Sequence, residues 1–307
     1  MILKVLFFGG TRFVGKALVS RLLSKGHEIF VFTRGKLPVP KNVIHIKGDR
    51  LRDEDLKKIS SHSFDLIVDS SGRKLEDTKR LLEFSGIPNF RFIYISSAGV
   101  YDNTQLFPVG EECSIDIYSR HIGKAETESW LIDQGIPFTS FRPTYIYGPG
   151  NYNPIEKWFF DRITNGRSIP VPLDGQVITQ LGHVSDLAEA ISKSLETDKS
   201  ENQIYNCSGS KAITFKGLIE TAILATGNKV SEFTLRSFDP SKLDPKARKV
   251  FPLRLTNFFT DISKIKKDLS WEPKIDLLNG LTDSYENDYL LNSHDKIDFI
   301  SDEFLLD

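Results

Sequence analysis

Apolar and polar positions fall in blocks along this chain, and the blocks predict an alternation of strands and helices. Ile2 to Phe8 is an apolar run broken only by Lys4, short enough for a strand buried on both faces. From Lys16 to Ser24, residues Ala17, Leu18, Leu22 and Leu23 recur at helical spacing and give one apolar face. Gly26-His27 closes that helix, and Glu28 to Thr33 reads as the next strand. Val43 to Lys47, Phe64 to Val68 and Phe90 to Ile95 repeat the strand pattern, with a helix from Leu75 to Phe84. A helix from Tyr118 to Gln134 stops at Gly135, and Phe138 to Phe141 is a sixth strand. This regularity predicts an α/β fold with a doubly wound parallel sheet and ligands at the carboxyl ends of its strands.

After the sixth strand the pattern breaks up. The Pro-, Gly- and Asn-rich stretch from Pro143 to Pro154 marks the exit from a first domain, residues 1–150, which a later segment near 176–200 completes. Beyond it come an aromatic helix from Ile155 to Asn165, a helix opening at Gly182-His183-Val184-Ser185-Asp186, Ile204-Tyr205-Asn206, a helix from Thr214 to Ala225, and Ser263 to Pro273. These short, mixed elements suit a smaller α+β substrate lobe over residues 151–282, followed by an acidic tail, 283–307.

Charge sharpens that division. The tail carries eight acids against Lys296 alone, which leaves 33 acids and 39 bases in residues 1–282 although the whole chain has a formal net charge of -1. A mildly basic body suits phosphate-rich partners, and the tail either shields it or is a solvated terminus. No apolar run reaches the ~20 residues that span a bilayer. A first strand starting at residue 2 leaves no room for a signal or transit peptide, so a cytoplasmic protein is expected. Cys113 and Cys207 make no disulfide framework, and no His/Asp/Glu cluster has metal-ligand spacing, so no metal is expected.

The candidate chemistry begins between the first strand and its helix. Gly9-Gly10-Thr11-Arg12-Phe13-Val14-Gly15 is a glycine turn whose following helix points unpaired amides back at it, a cradle for a dinucleotide pyrophosphate. Arg12 stands inside this turn, and its guanidinium either meets a phosphate or fills the space a cofactor needs. The second strand ends in Thr33-Arg34 with no carboxylate for a ribose 2′-hydroxyl, so Arg34 favours NADP over NAD unless it is a solvated turn residue. Asp49, in Gly48-Asp49-Arg50, is placed to cap the next helix.

Four motifs in order then carry a resemblance: the glycine turn, Ser96-Ser97-x-x-Val100-Tyr101, Arg142-Pro143-x-x-x-Tyr147-Gly148-Pro149, and His183-Val184-x-Asp186. The chain resembles the extended short-chain dehydrogenases/reductases, the Rossmann-fold family of nucleotide-sugar epimerases and dehydratases. Ser119-Arg120-His121-x-Gly123-Lys124, Asn151-Tyr152-Asn153-Pro154, Gln180-Leu181-Gly182-His183-Val184 and Gly280-Leu281-Thr282-Asp283-Ser284-Tyr285 add a closer resemblance to the chloroplast stem-loop binding proteins and their cyanobacterial relatives. The resemblance implies a cyanobacterial-type chain that binds messenger or stem-loop RNA. It also implies a dinucleotide site, NADP by the Arg34 reading, on Gly9, Gly10, Thr11, Arg12, Phe13, Gly15, Arg34, Asp49, Arg50, Ser96, Lys124 and Pro143, with Asp49 at the adenine and Arg12 replacing the family's middle glycine; a homo-oligomer is a separate expectation.

By the same resemblance Ser97 and Lys124 hold the catalytic serine and lysine positions, and the tyrosine position is Arg120. On a helix, residues four apart sit about 40° from each other, so Arg120 and Lys124 would share a face. Arginine stays protonated and has no acceptor, which removes the usual proton-transfer group. His121 is the nearby group that titrates near neutrality, either a substitute acid/base or a structural residue. Arg12, Arg120 and Lys124 together favour phosphate binding. Lys246, Arg248, Lys249 and Arg254, beside Lys242, are the densest basic loop; Phe251, Phe258 and Phe259 are interleaved, either to stack bases or as a core cluster under a solvated loop. Three functions follow as expectations: a redox-inactive RNA-binding protein, an NAD(P)-dependent nucleotide-sugar epimerase/dehydratase, and a stem-loop endoribonuclease using His121.

Overall fold

The computed structural model describes all residues except Pro154, Pro245, Lys246, 293–296, Asp298, Ile300, Ser301, Phe304, Leu306 and Asp307. From the start the chain forms β1 (Lys4–Phe8), α1 (Phe13–Ser24), β2 (Glu28–Thr33), β3 (Ile44–Lys47) and the one-turn α2 (Asp53–Leu56). β4 (Leu66–Asp69), α3 (Leu75–Ser85), β5 (Arg91–Ile95), α4 (Ile122–Asp133) and β6 (Phe138–Pro143) follow. Then come β7 (Tyr145–Tyr147), α5 (Ile155–Thr164), β8 (Ile169–Pro172), β9 (Ile178–Thr179), β10 (Leu181–His183), α6 (Val184–Ser194) and β11 (Gln203–Cys207). The last elements labelled are β12 (Ile213–Thr214), α7 (Phe215–Ala225), β13 (Leu235–Phe238), α8 (Ser263–Leu269) and α9 (Leu277–Ser284).

Contacts divide the chain into two units. The first contains Met1–Thr144, Val184–Ser208 and Thr260–Glu272. Its seven strands run parallel in the order β11-β6-β5-β4-β1-β2-β3, so the chain starts in the middle of the sheet and winds outward both ways. β1, β4 and β5 are buried almost throughout, as their apolar runs require, and Leu6, Phe8, Phe30, Phe92 and Phe138 join one core cluster. β3, at the edge, is largely exposed.

The second unit contains Tyr145–His183, Gly209–Phe259 and Pro273–Asp307. It is α+β: α5, α7 and α9 accompany three two-stranded sheets, β10-β7, β12-β9 and β13-β8. Its own core gathers Phe159, Phe160, Phe215, Ile219, Phe251 and Leu281. Two expectations change here. Residues 260–272, placed in the substrate lobe, belong to the first unit with 184–208. The acidic tail is not simply solvated: α9 continues as helix through Asn292, the Asp302 carboxylate pairs with the Arg162 guanidinium, and Leu305 is buried.

Candidate functional site

The glycine turn depends on backbone geometry that other residues resist. Gly9 and Gly10 have φ of +106° and +89°, in the region favouring glycine. A Cβ on Gly9 would lie 2.3 Å from the Ser70 hydroxyl oxygen, and one on Gly15 would lie 2.6 Å from the Gly10 amide nitrogen. The turn is therefore folded tightly against the start of α1. That helix begins at Phe13, three residues earlier than its apolar pattern predicts, and Phe13 itself takes φ of +37°, a strained value for a bulky residue. No acid occupies the first turn of α1, so its terminal amides and dipole present positive potential. Arg12 precedes the helix in extended conformation with its side chain exposed, and Thr11 is half-buried beside it. These features fit a pyrophosphate.

The carboxyl ends of β3 and β4 are bridged by a pair that the sequence reading missed. Arg50 grips Asp69 with two hydrogen bonds, 2.8 Å and 2.9 Å, and also donates to the Ser71 hydroxyl and the Asp77 carbonyl. Asp69 is fully buried and accepts from the amides of Ser71 and Gly72 at 2.9 Å and 2.8 Å. Burial opposes ionisation, but Arg50 and the two amides outweigh it and hold the carboxyl below its usual range. Arg50, expected at the cofactor, is thus committed to Asp69. Asp49 accepts from the Leu51 amide at 3.0 Å, which makes it the organiser of the turn before α2, and Arg34 is exposed just past β2.

At the end of β5 the Ser96 hydroxyl is buried and makes no hydrogen bond among the described residues. The Ser97 hydroxyl accepts from the Gly99 amide at 3.1 Å, and among the described residues its own proton remains to donate. His121 packs against this turn, for a Cβ on Gly99 would lie 2.6 Å from the imidazole Cδ2. Lys124, on α4, donates to the Ile95 carbonyl and lies 5.2 Å from the Tyr94 ring centre. Burial lowers its pKa from 10.5 to about 8, against the raising effect of Asp69 and Glu128. Ser96, Ser97, His121 and Lys124 therefore converge on one sheet edge.

Arg120 does not share a helical face with Lys124 as expected, because α4 starts only at Ile122. The Ser119 hydroxyl donates to the Gly99 carbonyl at 2.6 Å and accepts from the His121 amide at 3.1 Å, which holds residues 119–121 in a turn. Arg120 is exposed, and its Nε donates to Nε2 of His121 at 3.0 Å. Pro143 is buried at the end of β6, next to Arg142, whose guanidinium pairs with the buried Glu128 of α4 at 2.7 Å. Glu128 follows Lys124 by four residues, one helical turn on the same face, and that spacing was the available signal.

The basic loop lies in the second unit. Lys246 lies outside the described residues. Arg248 and Lys249 are exposed, the Arg248 Nε donating to the Leu243 carbonyl at 3.0 Å. Arg254 is half-buried with its guanidinium 4.6 Å from the Phe258 ring centre. Phe251 and Phe258 are buried, so they serve as core beneath the loop and offer no face to a base. The described residues contain no group of three or more His, Cys, Asp or Glu suited to a metal, and no helix long and apolar enough to cross a membrane.

Comparison with known proteins agrees with this architecture. A model of the NAD dependent epimerase/dehydratase family matches residues 5–208. Chloroplast stem-loop binding protein of 41 kDa b of Arabidopsis thaliana is 42% identical over 99% of this chain and 84% of its own length. The structure of UDP-glucose 4-epimerase from Thermotoga maritima superposes with a TM-score of 0.78 at 21% identity, over 95% of this chain and 100% of that one. UDP-glucuronic acid 4-epimerase from Bacillus cereus, in complex with NAD, gives 0.76 at 19% identity, over 94% and 99%.

Proposed function

The chain belongs to the NAD dependent epimerase/dehydratase family, and from that premise we propose that it binds stem-loop RNA and no longer transfers hydride. The 42% identity to a stem-loop binding protein, nearly end to end, carries the RNA reading. The second half rests on Arg120: a permanently charged guanidinium without an acceptor cannot take a proton from a substrate hydroxyl, and its Nε donates to His121.

A nicotinamide dinucleotide, when bound, would supply hydride chemistry. The residues that would hold it are the Gly9–Gly15 turn for pyrophosphate, Asp49 for adenine and Arg34 for a ribose 2′-phosphate, which favours NADP. Lys124 would be one of its neighbours, with an amine that is partly neutral near pH 8. Cationic Arg12 and Arg120, with the α1 amides, would serve an RNA phosphate equally well, so RNA and dinucleotide would compete for one site. One observation favours the epimerase/dehydratase as a second reading: the Ser97 hydroxyl keeps its proton for a substrate oxygen.

A titration with fluorescently labelled stem-loop RNA at about 0.15 M salt, repeated at higher salt and with excess NADP, tests both. Tight binding that weakens steeply with salt and is displaced by NADP is the expected result. Absence of RNA binding, with turnover of a nucleotide sugar that Lys124→Ala abolishes, would transfer the function to the small-molecule enzyme.

A further inference from the structure

Beside the convergent serines, histidine and lysine, two large apolar side chains stand in water on an ordered turn. Ile117 is 68% exposed and Tyr118 is 89% exposed. The turn beneath them is pinned: the Asp116 amide donates to the Val100 carbonyl at 2.9 Å, and the Asp116 carboxylate accepts from the Tyr118 amide at 2.8 Å. Ser119 ties the far side to Gly99 at 2.6 Å. An aromatic ring held out on a fixed backbone loses little freedom when something stacks on it.

Three exposed cations gather around it, together with two carboxylates that are taken up by backbone amides, Asp116 by that of Tyr118 and Asp77 by those of Arg73 and Lys74. Arg120 is exposed two residues on. Gly123 of α4 packs on the backbone of Arg73 and Lys74, where a Cβ would come within 2.6 Å of the Arg73 carbonyl oxygen, and both of those side chains are exposed. The charge on Arg73 is close enough to disfavour protonation of Lys124. No acid lies in the first turn of α4, so the positive end of that helix adds to the three cations.

We infer that the Asp116–Arg120 turn docks an unpaired nucleotide of the RNA, with the Tyr118 ring stacked on its base and Arg120, Arg73 and Lys74 meeting the flanking phosphates. This rests on the RNA reading above. An exposed ring on the same turn as Arg120, with Arg73 and Lys74 across from Gly123, matches a single strand, which offers a base face and two phosphates together; a duplex keeps its bases stacked inside. Arg120 then has a use that explains its exposure: one side holds His121, and the rest of the guanidinium reaches outward.

The test uses the full chain and a hairpin RNA carrying 2-aminopurine at each loop position in turn, with a fully paired duplex of equal length as comparison. Tyr118→Ala is expected to weaken hairpin binding about tenfold, the size of one base–aromatic stack, and to abolish a position-specific fluorescence change. Tyr118→Phe keeps both, duplex binding is unaffected, and melting temperatures are unchanged. Arg73→Gln and Arg120→Gln lower the salt slope by about one each while leaving the fluorescence change in place. Steep, salt-dependent hairpin binding by the parent that Tyr118→Ala leaves intact would overturn this inference and spare the RNA reading. Failure of the parent to bind RNA would remove both. A change of oligomeric state in Tyr118→Ala, with RNA affinity unaltered, would assign the turn to a protein contact and overturn the inference.

Discussion

Replacing Lys124 by methionine should make the protein more stable at neutral pH, although it removes a hydrogen bond from the heart of the site. The amine sits among Tyr94, Ile95 and Glu128, and burial lowers its pKa from 10.5 to about 8. Below pH 8 it is charged both folded and unfolded, and the fold bears the full cost of the buried charge. Between about 8 and 10.5 the unfolded chain binds the extra proton, so folding stability rises with pH across that window. The gap corresponds to about 3 kcal/mol, of which the lost bond to the Ile95 carbonyl returns about 1 kcal/mol. Lys124→Met is therefore expected to be about 2 kcal/mol more stable at pH 7, with the advantage lost before pH 10.5 and the parent about 1 kcal/mol more stable above it. Urea midpoints for variant and parent, taken in pairs from pH 6.5 to 10.5, cancel the titration of groups that do not interact with Lys124. A variant less stable than the parent at pH 7, or a difference that does not move with pH, would refute the burial argument.

Three further outcomes follow from other sites. Asp69→Asn leaves the Arg50 guanidinium without its counter-charge in a buried setting, and should cost about 3 kcal/mol, read as a lowered urea midpoint. Gly15→Ala places a Cβ 2.6 Å from a backbone nitrogen that cannot swing away; destabilisation of about 2 kcal/mol and loss of any NADP-induced rise in melting temperature are expected. Glu156, buried in the second unit and bonded to the Gly148 amide and Asn151, has its pKa pushed up to about 7 by burial. Between about 4.5 and 7 the folded state then holds the extra proton and stability falls as pH rises, a slope that Glu156→Gln should flatten in paired urea titrations.

The local patterns of the chain determined the parallel sheet and the glycine turn at its carboxyl edge. Apolar runs such as Phe64 to Val68 and Phe90 to Ile95 can be satisfied only by strands covered on both faces, and a glycine pair between strand and helix leaves few turns available. That Arg120 cannot take a proton was likewise legible, because the chemistry of a guanidinium does not depend on its surroundings. Tertiary structure decided the rest, wherever the deciding partner was distant in sequence. The helix expected from Tyr118 begins at Ile122 because Gly99 and Val100, from another segment, take the hydrogen bonds of Ser119 and Asp116 and leave Tyr118 in water. Arg50 went to Asp69, nineteen residues away, because sheet order sets β3 and β4 to either side of β1 and β2. The acidic ending reads as solvated until the Arg162 guanidinium supplies a buried partner for Asp302. Periodicity reports which face of an element is apolar; which polar side chains meet across that face is settled only when the elements pack.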